Sequence, residues 1–418
     1  MAQFFENTQK PESALLVGVD SGDFNCEDSL DELAELAKTA GAVVQAKMTQ
    51  KRAAPDAATY IGSGRLEEIK EFCKNNETDL LIFDCELTPS QQRNIEDATD
   101  VRVVDRTQLI LDIFALRARS GEGKLQVELA QLKYQLTRLA GKGTALSRLG
   151  GGIGTRGPGE TKLETDKRHI RRRIKSLEDD LEGLSKRRAL MRTRREKDRV
   201  QTVAIVGYTN AGKSTLMNTL TQAGVLAEDK LFATLDPTSR ALTLPDGRKV
   251  MLIDTVGFIR RLPHGLVEAF KSTLEEAASS TLILNVCDAS SSECAEHLEV
   301  TRKLLNELGC QGKPIIAVFN KCDIAEDISF LSVGLNSVKI SAKTGEGLDN
   351  LLNSVMTALP PTRRKLTLLL PYSMGSDAAL LRKDGTVHAE DYRADGLLIT
   401  VTADINLLER YQNYITES

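Results

Sequence analysis

The sequence predicts a multidomain α/β protein: an N-terminal parallel α/β subdomain (residues 1–120), a long antiparallel helical hairpin with a Gly-rich tip (121–199, tip 141–160), a phosphate-loop α/β domain (200–362) and a small C-terminal α/β domain (363–418). Three observations predict it. Apolar, β-branched runs alternate with helical stretches at 14–116 and again after residue 200, the pattern of βαβ units and mostly parallel sheets. Between these regions apolar residues recur at seven-residue intervals, as in paired helices. The chain has 418 residues, 41% apolar and 27% charged, enough for about three ordinary cores.

In the first region the strand-like runs are 14–19 (ALLVGV), 42–48 (AVVQAKM), 80–83 (LLIF) and 101–104 (VRVV), with helical stretches such as 29–38 between them. The turn at 62–65 (GSGR) resembles a phosphate loop but lacks its lysine and hydroxyl, so a plain glycine turn before a helix is the stronger expectation for it.

The second region carries two narrow apolar seams. Leu125, Leu129, Leu132, Leu136 and Leu139 step by four and three, and Leu163, Ile170, Leu177, Leu184 and Met191 step by sevens with Ile174 and Leu181 between. One loop joins them, so they are expected to pair antiparallel, the second arm reaching roughly 50 Å at 1.5 Å per residue and both outer faces left for something else. The loop, 141–160 (GKGTALSRLGGGIGTRGPGE), holds eight glycines with Lys142, Arg148 and Arg156, and is far longer than a helix connection requires. Residues 161–200 carry fifteen Lys and Arg against eight Asp and Glu, in a chain whose net charge is −4. A charge run alone favours a solvated helix face, but with the glycine-rich tip and the run Arg171, Arg172, Arg173 it becomes the footprint of a nucleic-acid binder. Aromatic residues are nearly absent from 141–200, which favours phosphate contacts with structured RNA over base stacking.

After the apolar strand 202–206 (TVAIV) comes GYTNAGKS: Gly207, Tyr208, Thr209, Asn210, Ala211, Gly212, Lys213 and Ser214, followed by Thr215 and a helical stretch. Strand, glycine loop and helix in this order form a phosphate cradle, with Lys213 for the β and γ oxygens, Ser214 for Mg²⁺ and the amides of 211–215 as an anion site. The strand 249–253 (KVMLI) ends in Asp254, Thr255, Val256, Gly257. Asp254 is placed to hold the metal through water, and Gly257 to offer its amide to a γ-phosphate. Phe232, Ala233 and Thr234 lie in FATLDPT, where Thr234, rather than Thr238, is the candidate for a second metal and γ-phosphate contact. The strand 314–319 (PIIAVF) leads into Asn320, Lys321 and Asp323, and 337–340 (SVKI) into Ser341, Ala342 and Lys343. Asp323 can accept from N1–H and the exocyclic amine of guanine, which adenine cannot match, so the expected base is guanine. Asn320 ties this loop to the phosphate loop, the Lys321 stem covers the base, and the Ala342 amide reaches guanine O6. Together the segments predict a P-loop GTPase domain using GTP and GDP with Mg²⁺, in which Lys213, Thr234 and Gly257 bear directly on hydrolysis.

Many small GTPases place a glutamine after the DxxG glycine to orient water; this chain has Phe258. Slow intrinsic turnover, needing an activating partner, is one expectation, and a phenyl ring packed beneath the switch helix is the other. Arg260 and Arg261 follow, as cationic stabilisers or partner contacts. Beyond Pro360 and Pro361, runs at 366–370, 386–392 and 397–402 suggest strands, and 404–414 an N-capped amphipathic helix. Seven scattered cysteines without C-x-x-C and four histidines without ligand spacing suggest neither a disulfide framework nor zinc. No apolar run approaches the ~20 residues of a membrane span, and the N-terminus has no signal-peptide pattern, so a cytoplasmic protein is expected.

Across the whole chain the sequence resembles the HflX family of translational GTPases. The strings 123–132 (GKLQVELAQL), 149–162 (LGGGIGTRGPGETK), 232–238 (FATLDPT) and 254–258 (DTVGF) carry the resemblance, while the last 55 residues match least. It implies a monomeric protein that binds ribosomes, sets its hairpin and tip near the peptidyl-transferase region of the large subunit and its rRNA, splits stalled ribosomes under stress, and hydrolyses GTP faster with ribosomes. A regulatory or scaffold GTPase that binds a protein or non-ribosomal RNA stays open as an alternative. An RNA-modifying GTPase is disfavoured, since no separate catalytic cysteine, cofactor loop or metal cluster is evident.

Overall fold

A computed structural model describes residues 11–22, 24–146, 162–197, 200–221, 232, 238–255, 257–260, 276–325 and 336–416. The chain forms two compact units, residues 1–242 with 249–352, and 243–248 with 353–418.

The first sheet contains β1 (Ser13–Asp20), β2 (Val43–Lys51), β3 (Leu80–Phe83) and β4 (Arg102–Asp105) in the order β2-β1-β3-β4, every neighbour parallel. Helices α1 (Cys26–Thr39), α2 (Ser63–Asn76), α3 (Pro89–Thr99) and α4 (Arg106–Arg117) complete the βαβ units. Strand side chains alternate between faces, and β1 uses both. Leu15, Val17 and Val19 join one core with Ile69, Phe83 and Ile95, and Ala14 and Leu16 join another with Leu30, Leu33, Ile110 and Phe114. The GSGR turn is the start of α2, and Arg65 is held there by the Thr49 carbonyl and Glu68.

Helices α5 (Gly121–Leu146) and α6 (Lys162–Lys197) run antiparallel, since Glu122 pairs with Arg188 whereas Lys133 pairs with Glu178. Leu129 and Leu177 are buried, but Met191 is 63% exposed, so the seam does not reach the last turns of α6. Two expectations are corrected here. Residues 141–146 continue α5 rather than belonging to the tip. The outer face of α5 is also occupied: Val127 and Ala130 enter the core of α1 and α4, with Tyr134 against it. Tyr134 donates to Asp105 at 2.7 Å, and Arg138 lies over the Tyr134 ring and pairs with Asp105. Asp105 is buried at the end of β4, so these contacts seat α5 on the sheet.

The second sheet has β5 (Thr202–Gly207), β6 (Thr238–Thr243), β7 (Lys249–Asp254), β8 (Leu282–Asp288), β9 (Ile315–Asn320) and β10 (Ser337–Lys339) in the order β10-β9-β8-β5-β7-β6. All six residues of β5 are buried, and it pairs in parallel with β7 on one side and β8 on the other. The chain therefore departs from β5 in opposite directions, and the crevice at its carboxyl end is where such sheets bind ligands. Helix α7 (Lys213–Thr221) follows β5, with α8 (Cys294–Glu307) and α9 (Leu348–Ala358) further on.

In the second unit β11 (Arg363–Leu370), β12 (Thr386–Arg393) and β13 (Gly396–Asp404) form an antiparallel sheet in the order β11-β13-β12, with α10 (Gly375–Asp384). The amphipathic helix expected over 404–414 is instead a single turn, α11 (Ile405–Leu408), and a 3₁₀ stretch kinked at Tyr411. Tyr411 is 1% exposed with its hydroxyl donating to Asp377 at 2.9 Å, so burial of this ring overrides a continuous helix. Among the described residues no helix is long and apolar enough to cross a membrane.

Candidate functional site

The loop after β5 is shaped by glycines that nothing else can replace. A Cβ on Gly207, at φ +148°, would lie 2.0 Å from the Val286 carbonyl oxygen, and one on Gly212, at φ +88°, would lie 2.2 Å from Asn320 Nδ2. Asn210 also has a positive φ, 59°, which asparagine tolerates better than most residues. This backbone brings Lys213 to the start of α7 with its ammonium donating to the carbonyls of Gly207 at 3.1 Å and Tyr208 at 2.7 Å. Burial pushes the Lys213 pKa down to about 8, against the upward pull of Asp254. A buried ammonium whose hydrogen bonds, among the described residues, go to neutral carbonyls is primed to take an anionic partner.

Ser214 donates to Asp254 Oδ2 at 2.9 Å, and Asp254 is fully buried at the end of β7. A hydroxyl and a carboxylate converging this closely are the hard oxygen donors that Mg²⁺ takes. Thr255, equally buried, donates to the Ile205 carbonyl at 2.9 Å and serves the sheet. Gly257 is pressed against the phosphate loop, where a Cβ would come within 2.8 Å of the Thr209 methyl and 2.9 Å of Lys213 Nζ. The segment is stitched to the loop on both sides: the Phe258 amide donates to Gly207 at 3.0 Å, and the Thr209 amide to Phe258 at 2.8 Å. Phe258, 2% exposed, packs with Val206, Ile283 and Leu305. The ring is therefore packed in the core below the loop, and the switch helix beneath which it was expected to pack lies outside the described residues.

On the opposite side Asn320, 2% exposed, bridges two loops: Nδ2 donates to the Ala211 carbonyl at 2.8 Å, and Oδ1 accepts from the Ala342 amide at 2.9 Å. The Ala342 amide, expected to reach guanine O6, donates here to Asn320. Its carbonyl accepts from Thr219 of α7 at 2.7 Å, a tie the sequence motifs do not signal. The buried Ser341 hydroxyl accepts from the Thr344 amide at 3.2 Å and closes the turn. Lys321, at φ +63°, pairs with Asp288 at 2.7 Å. Asp288 ends an apolar strand as Asp254 does, a signal that could have identified it. Asp323 and Lys343 are exposed at the rim.

Four sequence readings change. Phe232 is 2% exposed and meets Phe114 edge-on at 4.6 Å, so its ring belongs to the N-terminal core rather than to a nucleotide. The Tyr208 side chain points to Glu32 and Arg260, leaving only its backbone facing the loop. Arg260 pairs with Glu293 at 2.6 Å and Glu296 at 2.9 Å and is not a free cation. Arg173 makes a two-pronged contact with Glu128 across the hairpin at 2.7 and 2.9 Å, although it is exposed like Arg171 and Arg172. Thr238 begins β6 with its hydroxyl toward Met217 sulfur at 3.6 Å. Ala233, Thr234, Val256, Arg261, Arg148, Arg156 and the Lys142 side chain lie outside the described residues.

Residues 27–115 match the family described as GTP-binding GTPase N-terminal, 117–195 the GTP-binding GTPase Middle Region, and 202–321 the 50S ribosome-binding GTPase family. The GTPase HflX of Caldanaerobacter subterraneus subsp. tengcongensis is 52% identical over 98% of this chain and 95% of its own length. That of Escherichia coli (strain K12) is 44% identical over 89% of this chain and 88% of its own. A GTP-binding protein from Sulfolobus solfataricus, crystallised with GDP, is 28% identical, covering 83% of this chain and 98% of that one with a TM-score of 0.46.

Proposed function

Because the chain belongs to the HflX family of GTPases, we propose that it is a GTP-driven switch that binds the large ribosomal subunit and its rRNA through its N-terminal region and splits or rescues stalled ribosomes under stress. Hydrolysis of GTP is its enzymatic activity. The observation that carries the residue assignments is the convergence, at the end of β5, of Lys213, the Ser214–Asp254 pair and the close approach of Gly257.

In this proposal Lys213, fixed by two loop carbonyls, balances the β and γ charge, and the amides of 211–215 at the start of α7 hold the phosphates. Ser214 and Thr234 directly, and Asp254 through water, would hold Mg²⁺, whose chemistry is neutralisation of charge on the β and γ oxygens. The Gly257 amide senses the γ-phosphate. Asp323 at the rim selects guanine, with its loop braced by Asn320. Since Phe258 offers no side-chain hydrogen-bonding group directly after Gly257, slow intrinsic turnover and stimulation by the ribosome are proposed.

The RNA-facing part is α6 with the tip. All three members of the arginine run are exposed; Arg171 and Arg172 are proposed to meet phosphates, whereas Arg173 is engaged with Glu128 across the hairpin. Full reversal of a two-state population requires about 5.5 kcal/mol of differential binding. Gradient sedimentation with ribosomes tests the switch: a non-hydrolysable GTP analogue should retain the chain on the large subunit and GDP should release it. Equal co-migration in both states rejects the proposal.

A further inference from the structure

Tyr208 has a second set of partners that phosphate binding does not require. Its hydroxyl accepts from the Arg260 amide at 2.7 Å and donates to the Glu32 carboxylate of α1. A phenol has one proton. With that proton committed to Glu32, the oxygen must present a lone pair to the Arg260 amide, so the carboxylate fixes the polarity of the contact. Burial, with Glu32 alongside, holds the Tyr208 hydroxyl well above the usual phenol range and keeps it protonated.

The peptide at 260 is gripped at its other end too. Arg106, 3% exposed at the start of α4, donates to the Arg260 carbonyl at 3.2 Å, and is itself held by Glu32 and by Asp84 at 2.8 Å. The Tyr208 ring stacks on His297 at 3.8 Å between centroids and 12° between planes. Burial pushes the His297 pKa down to about 4, so this ring is neutral at pH 7. Tyr208 and Ile259 are both buried in the cluster that also contains Leu30 and Phe114 of the N-terminal sheet.

Arg260 lies three residues beyond Gly257, and the Tyr208 carbonyl is one of the two that hold Lys213. A single residue thus touches the lysine through its backbone and the γ-phosphate-sensing segment through its side chain. We infer that Tyr208 is a positioning residue for hydrolysis: its hydroxyl, oriented by Glu32 of the N-terminal subdomain, fixes the 257–260 segment so that the Gly257 amide is aligned when GTP is bound. The inference rests on the nucleotide site proposed above and adds to it the side chain that connects that site to the N-terminal sheet.

The test uses the full chain with Tyr208→Phe, which preserves the ring stack and removes the hydroxyl, with Glu32→Gln and with the double variant. A positioned amide contributes through alignment; a misplacement of about 1 Å in such sites costs about 10²-fold in rate, and a partial one correspondingly less. Tyr208→Phe is expected to lower single-turnover GTP hydrolysis about tenfold, leave the GDP Kd within about twofold, and speed hydrogen exchange at the Arg260 amide. Glu32→Gln should act in the same direction, and because Glu32 also holds Arg106 on the Arg260 carbonyl, the double variant should be slower than Tyr208→Phe alone but by less than the product of the two single effects, since the hydroxyl route is shared. The intrinsic rate, measured without ribosomes, is the deciding quantity. An unchanged or increased intrinsic rate in Tyr208→Phe, or strictly multiplicative effects of the two substitutions, overturns the inference. If the parental chain itself shows no GTP turnover, the nucleotide-site proposal fails instead, which separates the two.

Discussion

Replacing Asn320 by alanine probes the brace between the phosphate loop and the base-side loops. The carboxamide makes one bond to the Ala211 carbonyl and one to the Ala342 amide, and both partners are almost fully buried, at 1% and 2% exposure. Removing it leaves a buried acceptor and a buried donor unpaired, each at a cost of about 1–3 kcal/mol. The total is on the order of 2–6 kcal/mol, or about 1–3 kcal/mol if one of them recovers a water. It must divide between the stability of the ligand-free fold and nucleotide affinity, since 1.4 kcal/mol is about tenfold in Kd. Urea unfolding of the ligand-free chain and titration with a fluescent GDP analogue measure the two parts. Asn320→Asp, which retains an acceptor for the Ala342 amide but places a carboxylate against the Ala211 carbonyl, should lose affinity as well. A combined change below about 0.5 kcal/mol in Asn320→Ala, the size of an ordinary surface substitution, refutes the brace.

Other outcomes follow from the same geometry. With its pKa lowered to about 8, Lys213 discharges in the free chain as pH rises, whereas bound phosphates favour its charged form. GTP binding should therefore take up a proton and weaken between about pH 8 and 10, visible by calorimetry in buffers of different ionisation enthalpy. Because the unfolded lysine holds its proton up to the higher ordinary value, the contribution of Lys213 to ligand-free stability rises with pH over the same window. A pH-independent GTP affinity would remove Lys213 from the contact. Gly257→Ala should reduce hydrolysis more than GDP binding, since the new methyl would lie 2.9 Å from Lys213 Nζ, where the segment approaches the loop; hydrolysis at the parental rate would contradict that approach. Asp323→Asn should lose preference for guanine, and competition by xanthosine and guanosine nucleotides reads this directly; retained guanine selectivity rejects the base assignment.

Local order was legible where a residue's type and its neighbours in sequence decide its role. A β-branched run, a glycine loop and a lysine predicted β5, the turn and α7, and the strands bearing Asp254 and Asn320 were readable as apolar runs ending in polar residues. What escaped was the direction in which side chains point. Spacing placed Phe232 and Tyr208 in nucleotide segments, but a large ring minimises its exposed area by entering a core, and both rings join the cluster of the N-terminal sheet. The leucine seam of α5 was visible, yet Val127 and Ala130 sit off that seam and gave no periodic signal of their contact with α4. A run of three arginines looks uniform in sequence, although helical geometry aims only Arg173 at Glu128. The kink at Tyr411 was hidden for a related reason, because an amphipathic pattern persists through residues whose backbone leaves the helix.

GTP turnover by the purified full chain, measured with and without purified large ribosomal subunits, bears most directly on the central proposal. Slow turnover alone and a severalfold or greater acceleration by the subunits is the predicted result, consistent with a phenylalanine in place of a glutamine after Gly257. Identical rates in both conditions would contradict it and leave a GTPase whose partner lies elsewhere.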